Sequence, residues 1–155
     1  MLIHIGSDHG GFEMKKVLIA YLSDSGYEVI DMGADKLDVN DDYVEYATRV
    51  SKEVSRDPSA GKGILLCRSG VGVNVVANKF KNIRASLCFS PDHAMASKKD
   101  DDANILCLPS DYIDQEMAKK IVSVWLATKF SGEERYIRRL KKIDELENKI
   151  TNYYE

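Results

Sequence analysis

The sequence predicts an α/β fold, a doubly wound five-stranded parallel sheet followed by a C-terminal helix. Three observations point there. The apolar residues fall in short continuous runs rather than strict alternations, amphipathic segments separate the runs, and three runs end in polar or glycine-rich sequence. Continuous runs suit strands covered on both faces, as in parallel sheets. Helical crossovers between parallel strands wind right-handed, which leaves a doubly wound sheet as the simplest arrangement.

Taken in order, Leu2 to Gly6 is the first expected strand. Met14, Leu18, Tyr21 and Leu22 then form one stripe of a helix, stopped by Ser25-Gly26. Glu28 to Met32 is the second strand, and Tyr43, Tyr46, Ala47, Val50 and Val54 mark the next helix by steps of three and four. Ser55 to Lys62 reads as a surface loop before the third strand, Gly63 to Cys67. A helix is expected over Val73 to Phe80, strands over Ile83 to Phe89 and Asn104 to Leu108, and a helix carrying Ile121, Val124, Trp125 and Thr128. Glu133 to Ile150 is strongly charged, with a narrow apolar stripe of Ile137, Leu140, Ile143, Leu146 and Ile150. Such a seam needs a surface to cover it, on its own domain or on a second subunit. Residues 1–155 read as a single domain whose helical tail spans 133–155.

Composition narrows the function classes. With 44% hydrophobic and 30% charged residues the chain has the balance of a globular protein. A net charge of -3 provides no broad footprint for nucleic acid or an anionic membrane. The apolar runs are far shorter than the roughly 20 residues that span a bilayer, and the first residues lack the pattern of a signal peptide. The three cysteines, Cys67, Cys88 and Cys107, form no C-x-x-C, so a cytoplasmic protein with reduced thiols and no zinc site is expected.

Ligands of open parallel sheets bind at the carboxyl ends of strands. Ser7-Asp8-His9-Gly10-Gly11 follows the first strand, Cys67-Arg68-Ser69-Gly70-Val71-Gly72 the third, and Ser90-Pro91-Asp92-His93 the fourth. Glycines at a strand-to-helix turn free backbone N–H groups for an anion or a developing oxyanion, or simply make the turn tight. The third glycine of a dinucleotide fingerprint is missing. A thiol before that turn is either a proton-transfer base or a small buried apolar residue, as Cys88 and Cys107 are read to be. Asp8 and His9 suit sugar hydroxyls, phosphate or proton shuttling; a helix-capping aspartate with an exposed histidine is the alternative. His4 lies in an apolar run and reads as a core histidine, while His93 fits a site or a surface helix equally. Arg135 and Arg139, one turn apart, offer a forked clamp for phosphate. Spacing alone favours a solvated basic face for them, beside Arg138, Lys141 and Lys142.

Several stretches in order resemble the ribose-5-phosphate isomerase B family, which includes the galactose-6-phosphate isomerase subunits. They are Gly6 to Phe12, Tyr27 to Gly33, Asp42-Tyr43, Gly63 to Cys67 with Ser69 to Gly72, Ala77 to Lys79, Ile83 to Ala85, Asp102 to Leu106 and Phe130 to Ile143. The resemblance covers nearly the whole chain. It implies a Rossmann-like domain, no cofactor or metal, a homodimer or dimer of dimers with sites between subunits, and a cis-enediol mechanism on a sugar phosphate. It puts Cys67 at the proton-abstracting thiol. Where some members carry a glutamate base, this chain has Val73. Ser69, Gly70, Val71 and Gly72 fall on the enediolate-binding loop, Asp8 and His9 on substrate-binding positions, Tyr43 on the pocket wall, and Arg135 and Arg139 on phosphate ligands.

The chain also departs from the family. Arg68 stands where glycine is usual, Asp100 replaces the ring-opening histidine with Asp101 next in that substrate-contacting stretch, and Asp111 replaces a phosphate-binding arginine. The tail has Glu133-Glu134-Arg135-Tyr136 in place of Gly-Gly-Arg-His. Arg68 is expected to supply the missing positive charge, or to pair with Asp100 or Asp111 across the subunit interface. Ring opening then falls to Ser69, Asp8, His93, a protonated Asp100, or solution. The leading reading is a ribose 5-phosphate–ribulose 5-phosphate isomerase. The alternatives are an isomerase of the galactose-6-phosphate type and a catalytically weak sugar-phosphate-binding homologue.

Overall fold

The computed structural model describes residues 1–153, and side-chain surroundings through residue 150. Five strands and six helices alternate along this span: β1 Leu2–Ser7, α1 Phe12–Asp24, β2 Glu28–Asp31, α2 Tyr43–Arg56, β3 Gly61–Cys67, α3 Val71–Ala77, β4 Ala85–Leu87, α4 Pro91–Asp101, β5 Ile105–Pro109, α5 Gln115–Ala127 and α6 Glu134–Tyr153. All pairings are parallel and the strand order is β2-β1-β3-β5-β4. The doubly wound five-stranded sheet with a C-terminal helix is therefore as expected.

Two apolar layers enclose the sheet. On one face Ile3, Ile5, Ile64, Leu66, Leu106 and Leu108 pack with Leu18 and Leu22 of α1, Ala94 of α4 and Ile121, Val122 and Trp125 of α5. On the other, Leu65, Cys67, Ile105 and Cys107 pack with Ala47, Val50 and Val54 of α2 and Val73 and Ala77 of α3. Successive residues of β3 point to opposite layers, as period-two geometry requires. That strand is covered on both sides, which explains its unbroken apolar run.

The element boundaries differ from expectation for local reasons. The expected loop at 55–62 shrinks to residues 57–60, because Asp57 gathers the backbone N–H groups of Ser59 and Ala60 at 3.1 Å and β3 then begins at Gly61. α3 starts at Val71, two residues early. Gly70 adopts a left-handed φ of 71° and its carbonyl already accepts from Asn74 N–H. Its end is set by Asn78, whose side chain bonds both the N–H and the C=O of Ala85 and so stitches α3 to β4. β4 shortens to three residues, since Asn82 turns left-handed with φ 64° and Asn104 Oδ1 takes the Arg84 N–H that a longer strand would pair.

α6 begins at Glu134 and its apolar stripe is largely open. Ile137 is 52% exposed, Ile143 45%, Leu146 56% and Ile150 50%. Tyr136 is buried and docks on α4, and Glu147 accepts the Asn82 N–H at 3.0 Å. Leu140, between them on the stripe, is half-buried.

Gly70 has two reasons to be glycine. Its φ is left-handed, and a Cβ would stand 2.5 Å from Leu87 Cδ1. Gly70→Ala should cost about 1–3 kcal/mol from the backbone strain alone. Urea unfolding should show it as a lower midpoint at unchanged slope.

Candidate active site

The connections of neighbouring strands β1 and β3 leave the sheet in opposite directions, α1 toward β2 on one face and α3 toward β4 on the other. Such a reversal opens a crevice at the carboxyl ends of the two strands. A cleft of about 490 Å³ lies there, lined by Asp8, His9, Tyr43, Cys67, Arg68, Ser69, Val71, Gly72 and Val75.

Asp8 does not cap α1. The cap position is Gly11 and no side chain serves it. The Asp8 carboxylate instead accepts Gly10 N–H at 3.0 Å within its own turn. Burial pushes its carboxyl above the usual aspartate value, against the opposing pull of His9 and the turn's N–H groups. His9 is tied by Asp41, whose Oδ1 lies 2.6 Å from Nδ1 and also accepts the His9 backbone N–H at 2.9 Å. Cys67 ends β3 with 5% of its surface exposed, and Gly70 N–H donates to its sulfur at 3.1 Å. Ser69 Oγ accepts from Val71 N–H at 3.3 Å, closing the turn. Tyr43, the first residue of α2, lies over Gly72 so tightly that a Cβ there would be 2.6 Å from its ring.

The other two thiols have different surroundings. Cys88 and Cys107 are fully buried, and burial pushes both thiols up, Cys107 far up. Buried, raised thiols are unreactive. Cys67 alone among the three lines the cleft.

Arg68 extends from the mouth of the cleft and is mostly exposed. Its Nη1 meets Asp111 Oδ2 at 3.4 Å, and Asp111 N–H donates to the Arg68 carbonyl at 2.9 Å. The expected pairing of Arg68 is thus made with Asp111, and it forms within one chain. An exposed pair of this kind contributes about 1 kcal/mol or less and is easily parted.

Four expected site residues stand apart from the cleft. α4 runs back to the start of β5, so Asp100 and Asp101 sit at the opposite end of the strands from Cys67. Asp100 hydrogen-bonds the Tyr136 phenol, and with burial pushes its pKa up. Asp101 contributes its carbonyl to Arg84 Nε at 2.9 Å and lines a separate groove with Ile143. Arg135 pairs with Glu133 at 3.0 Å, and both Arg135 and Arg139 lie over the Tyr136 ring, at 4.6 and 5.5 Å from its centroid. His93 is exposed on α4, stacked on Phe89. His4 is buried in β1, and burial lowers its pKa, as suits a core histidine.

Sequence reasoning missed Asp41 and Val75. Asp41 precedes Asp42, which caps α2 by accepting Val44 N–H at 3.0 Å, and only that capping role is visible locally. Among the described residues, Asp8, His9 and Asp41 bring potential metal-ligand atoms within 4.8 Å of one another. The 2.6 Å separation of His9 Nδ1 and Asp41 Oδ1 is a hydrogen bond, which spends those two atoms on each other.

A doubly wound sheet with a thiol, a buried acid and a tethered imidazole at its switch point defines an α/β protein equipped for proton transfer on a small ligand. The profile of the Ribose/Galactose Isomerase family matches residues 3–143. The ribose-5-phosphate isomerase B of Escherichia coli strain K12 is 38% identical over 147 residues, spanning 95% of this chain and 97% of that protein. A probable ribose-5-phosphate isomerase B of Mycoplasma genitalium is 38% identical over 141 residues, or 91% of this chain and 92% of the relative. The crystal structure of ribose-5-phosphate isomerase B from Mycoplasma genitalium with bound ribulose-5-phosphate superposes with a TM-score of 0.92 at 37% identity, covering 95% of this chain and 96% of that one. The chain belongs to the ribose/galactose isomerase family.

The raised Asp8 carboxyl has a stability consequence of definite sign. Because burial favours the protonated acid, this group's contribution is most favourable below the ordinary aspartate pKa and is lost as pH rises through the raised value. Asp8→Asn, which cannot ionise and keeps an acceptor for Gly10 N–H, should melt higher than wild type at pH 7, with the gain disappearing in acid. Calorimetry at several pH values checks this.

Proposed function

We propose that this protein interconverts ribose 5-phosphate and ribulose 5-phosphate through a cis-enediol, with the chemistry carried by its own side chains. The observation that carries the reading is Cys67, the one thiol that opens on the cleft, at the edge of the Ser69–Gly72 turn and across from Asp8 and His9. The names of the relatives and the ribulose-5-phosphate bound to a neighbour in the same family support it. In this mechanism the Cys67 thiolate removes the proton from C2 of the open aldose and returns it to C1, while the hydroxyl proton passes from O2 to O1. One base on one face of a planar enediol suffices for both transfers. Ser69, Gly70, Val71 and Gly72 hold the oxygens that carry charge in the intermediate, and Tyr43 closes the wall.

Of the groups considered for ring opening, Asp8 is the best placed, since it lines the cleft and its raised carboxyl more readily carries a proton to give. A sugar phosphate is an anion, and the cleft's own cationic groups are Arg68 and the ionisable His9 among Asp8, Asp41 and Asp111. Arg68 is on this reading a phosphate ligand, released from Asp111 when substrate enters. Arg135, Arg139, Asp100 and Asp101 complete the site from a second copy of the chain, in a homodimer that covers the open stripe of α6. A rim charge of this unusual kind also suits a different sugar phosphate, the galactose-6-phosphate type. The compartment fitting three unpaired thiols is the cytoplasm.

Cys67→Ala should lose several orders of magnitude in turnover while still binding substrate. Proton exchange at C1 and C2, followed by NMR in deuterated water, measures it; near-normal exchange would end the proposal. Cys88→Ala and Cys107→Ala should leave that rate nearly unchanged.

A shared site has its own signature. Cys67→Ala and Arg139→Ala chains should each be inactive alone. Unfolded together and refolded as an equal mixture, they should recover about a quarter of wild-type activity, because half the dimers then hold one intact site. No recovery would place both residues' roles within a single chain.

A further inference from the structure

We infer that Asp41 is a positioning residue that sets the tautomer and the aim of His9; the inference rests on the reading of the cleft as the sugar-phosphate site. One carboxylate oxygen does two things at once. Asp41 Oδ1 accepts the His9 backbone N–H at 2.9 Å and lies 2.6 Å from His9 Nδ1. The two residues are 32 positions apart in the chain and come from different connections, His9 from the one after β1 and Asp41 from the one between β2 and α2. The Asp41 side chain is 7% exposed and that of His9 22%, so the contact is shielded while the imidazole still reaches the cleft.

A carboxylate only accepts, so the short contact requires the hydrogen on Nδ1. The bond made by one ring nitrogen decides what the other can do. Nε2, on the far side of the ring, is left to meet the ligand: as an acceptor for a sugar hydroxyl in the neutral ring, or as a donor to a phosphate oxygen in the charged ring. The backbone bond to the same oxygen removes the freedom that would let the ring swing away.

Asp41 is itself held. Its N–H donates to the Asp38 carbonyl at 3.1 Å, Asp42 anchors the start of α2 next to it, and the buried Tyr46 phenol is pushed up first by burial and then by the Asp41 carboxylate beside it. Gly33 packs against the Tyr46 ring and pairs through its carbonyl with Ser7 N–H at 2.9 Å, which ties this support back to the end of β1. Asp41 touches His9 and is absent from the cleft wall, which is the geometry of a residue that acts through another.

A double-mutant cycle on the full-length enzyme tests the assignment, with ribose 5-phosphate as substrate. Asp41→Ala and His9→Ala should each raise KM by about tenfold or more, the cost of a lost charged or well-aligned hydrogen bond. In the His9→Ala background, Asp41→Ala should add less than about twofold, because its only route to the substrate has gone. Asp41→Asn keeps an oxygen able to accept both bonds and should stay within about threefold of wild type, which separates positioning from loss of fold. Nitrogen-15 NMR of the imidazole in unliganded protein provides the readout that packing alone would not move: Nδ1 protonated in wild type and in Asp41→Asn, and that preference lost in Asp41→Ala. Losses that multiply in the double variant, or a His9 tautomer unchanged in Asp41→Ala, would overturn the inference. A normal KM in His9→Ala with the tautomer shift intact would instead sink the reading of His9 as a substrate ligand, and with it the function of the pairing.

Discussion

The reversal of winding between β1 and β3 is the constraint on which the site depends. These strands pair side by side over six residues, yet the chain leaves β1 for one face and β3 for the other. The space between the two departing connections is left as a cleft, and their first residues form most of its walls. Each wall is built from residues that cannot easily be large. Gly10 and Gly11 follow Asp8 and His9, and Gly70 and Gly72 follow Cys67. The turn at Gly70 lets β3 pass into α3 with its sulfur still facing the opening, and the bare Gly72 lets Tyr43 of α2 lie across it.

Much of this was legible because the relevant signals are local. A parallel strand buried on both faces has to be a continuous apolar run, and β3 is one. α1, α2 and α5 each present a helical stripe, and most of each stripe is found in the two layers, Tyr43 and Tyr46 of α2 and Val124 and Thr128 near the end of α5 lying outside them. α4 was not outlined by periodicity, since its buried face consists of Ala94, Ser97 and Lys98. Lys98 reaches the Asp102 carboxylate at 2.6 Å and lies over the Trp125 ring, so a charged side chain does the work of an apolar one there. The ends of β4 and α3 depend on Asn78 and Asn104, whose amides bond partners 7 and 20 residues away in the chain. No short window contains both partners.

The candidate site divides in the same way. Asp8, His9, Cys67 and the Ser69–Gly72 turn sit within five residues of a strand end, and the strand ends converge, so position in the sequence located them. Asp41 lies in the irregular segment between β2 and α2, where no periodicity applies. Its role follows only from a 2.6 Å contact with a residue on another connection. Arg68 and Asp111 are a third case. Each is conspicuous as a departure from the family pattern, yet only the structure brings the two together, through the pairing of Cys67 on β3 with Pro109 on β5.

Electrostatics bears on the proposed completion of the site by a second chain. A phosphorylated sugar brings close to two negative charges to a cleft lined by Asp8, with Asp41 behind His9 and Asp111 against Arg68. Two unit charges 4 Å apart interact by about 4 kcal/mol at the effective dielectric of a protein surface, so an uncompensated anion would be expelled rather than bound. On the proposed reading Arg68 answers part of this charge, and it would give up only a weak exposed pair to do so. Arg135 and Arg139 rest on the face of Tyr136, on a helix that docks on α4, and neither lines the cleft of Cys67. They are carried by a helix whose three isoleucines and Leu146 are about half exposed. The homodimer proposed above would account for both the exposed apolar residues on this charged helix and the cations outside their own cleft, since a second copy related by two-fold symmetry would cover the stripe and exchange arginines for cleft.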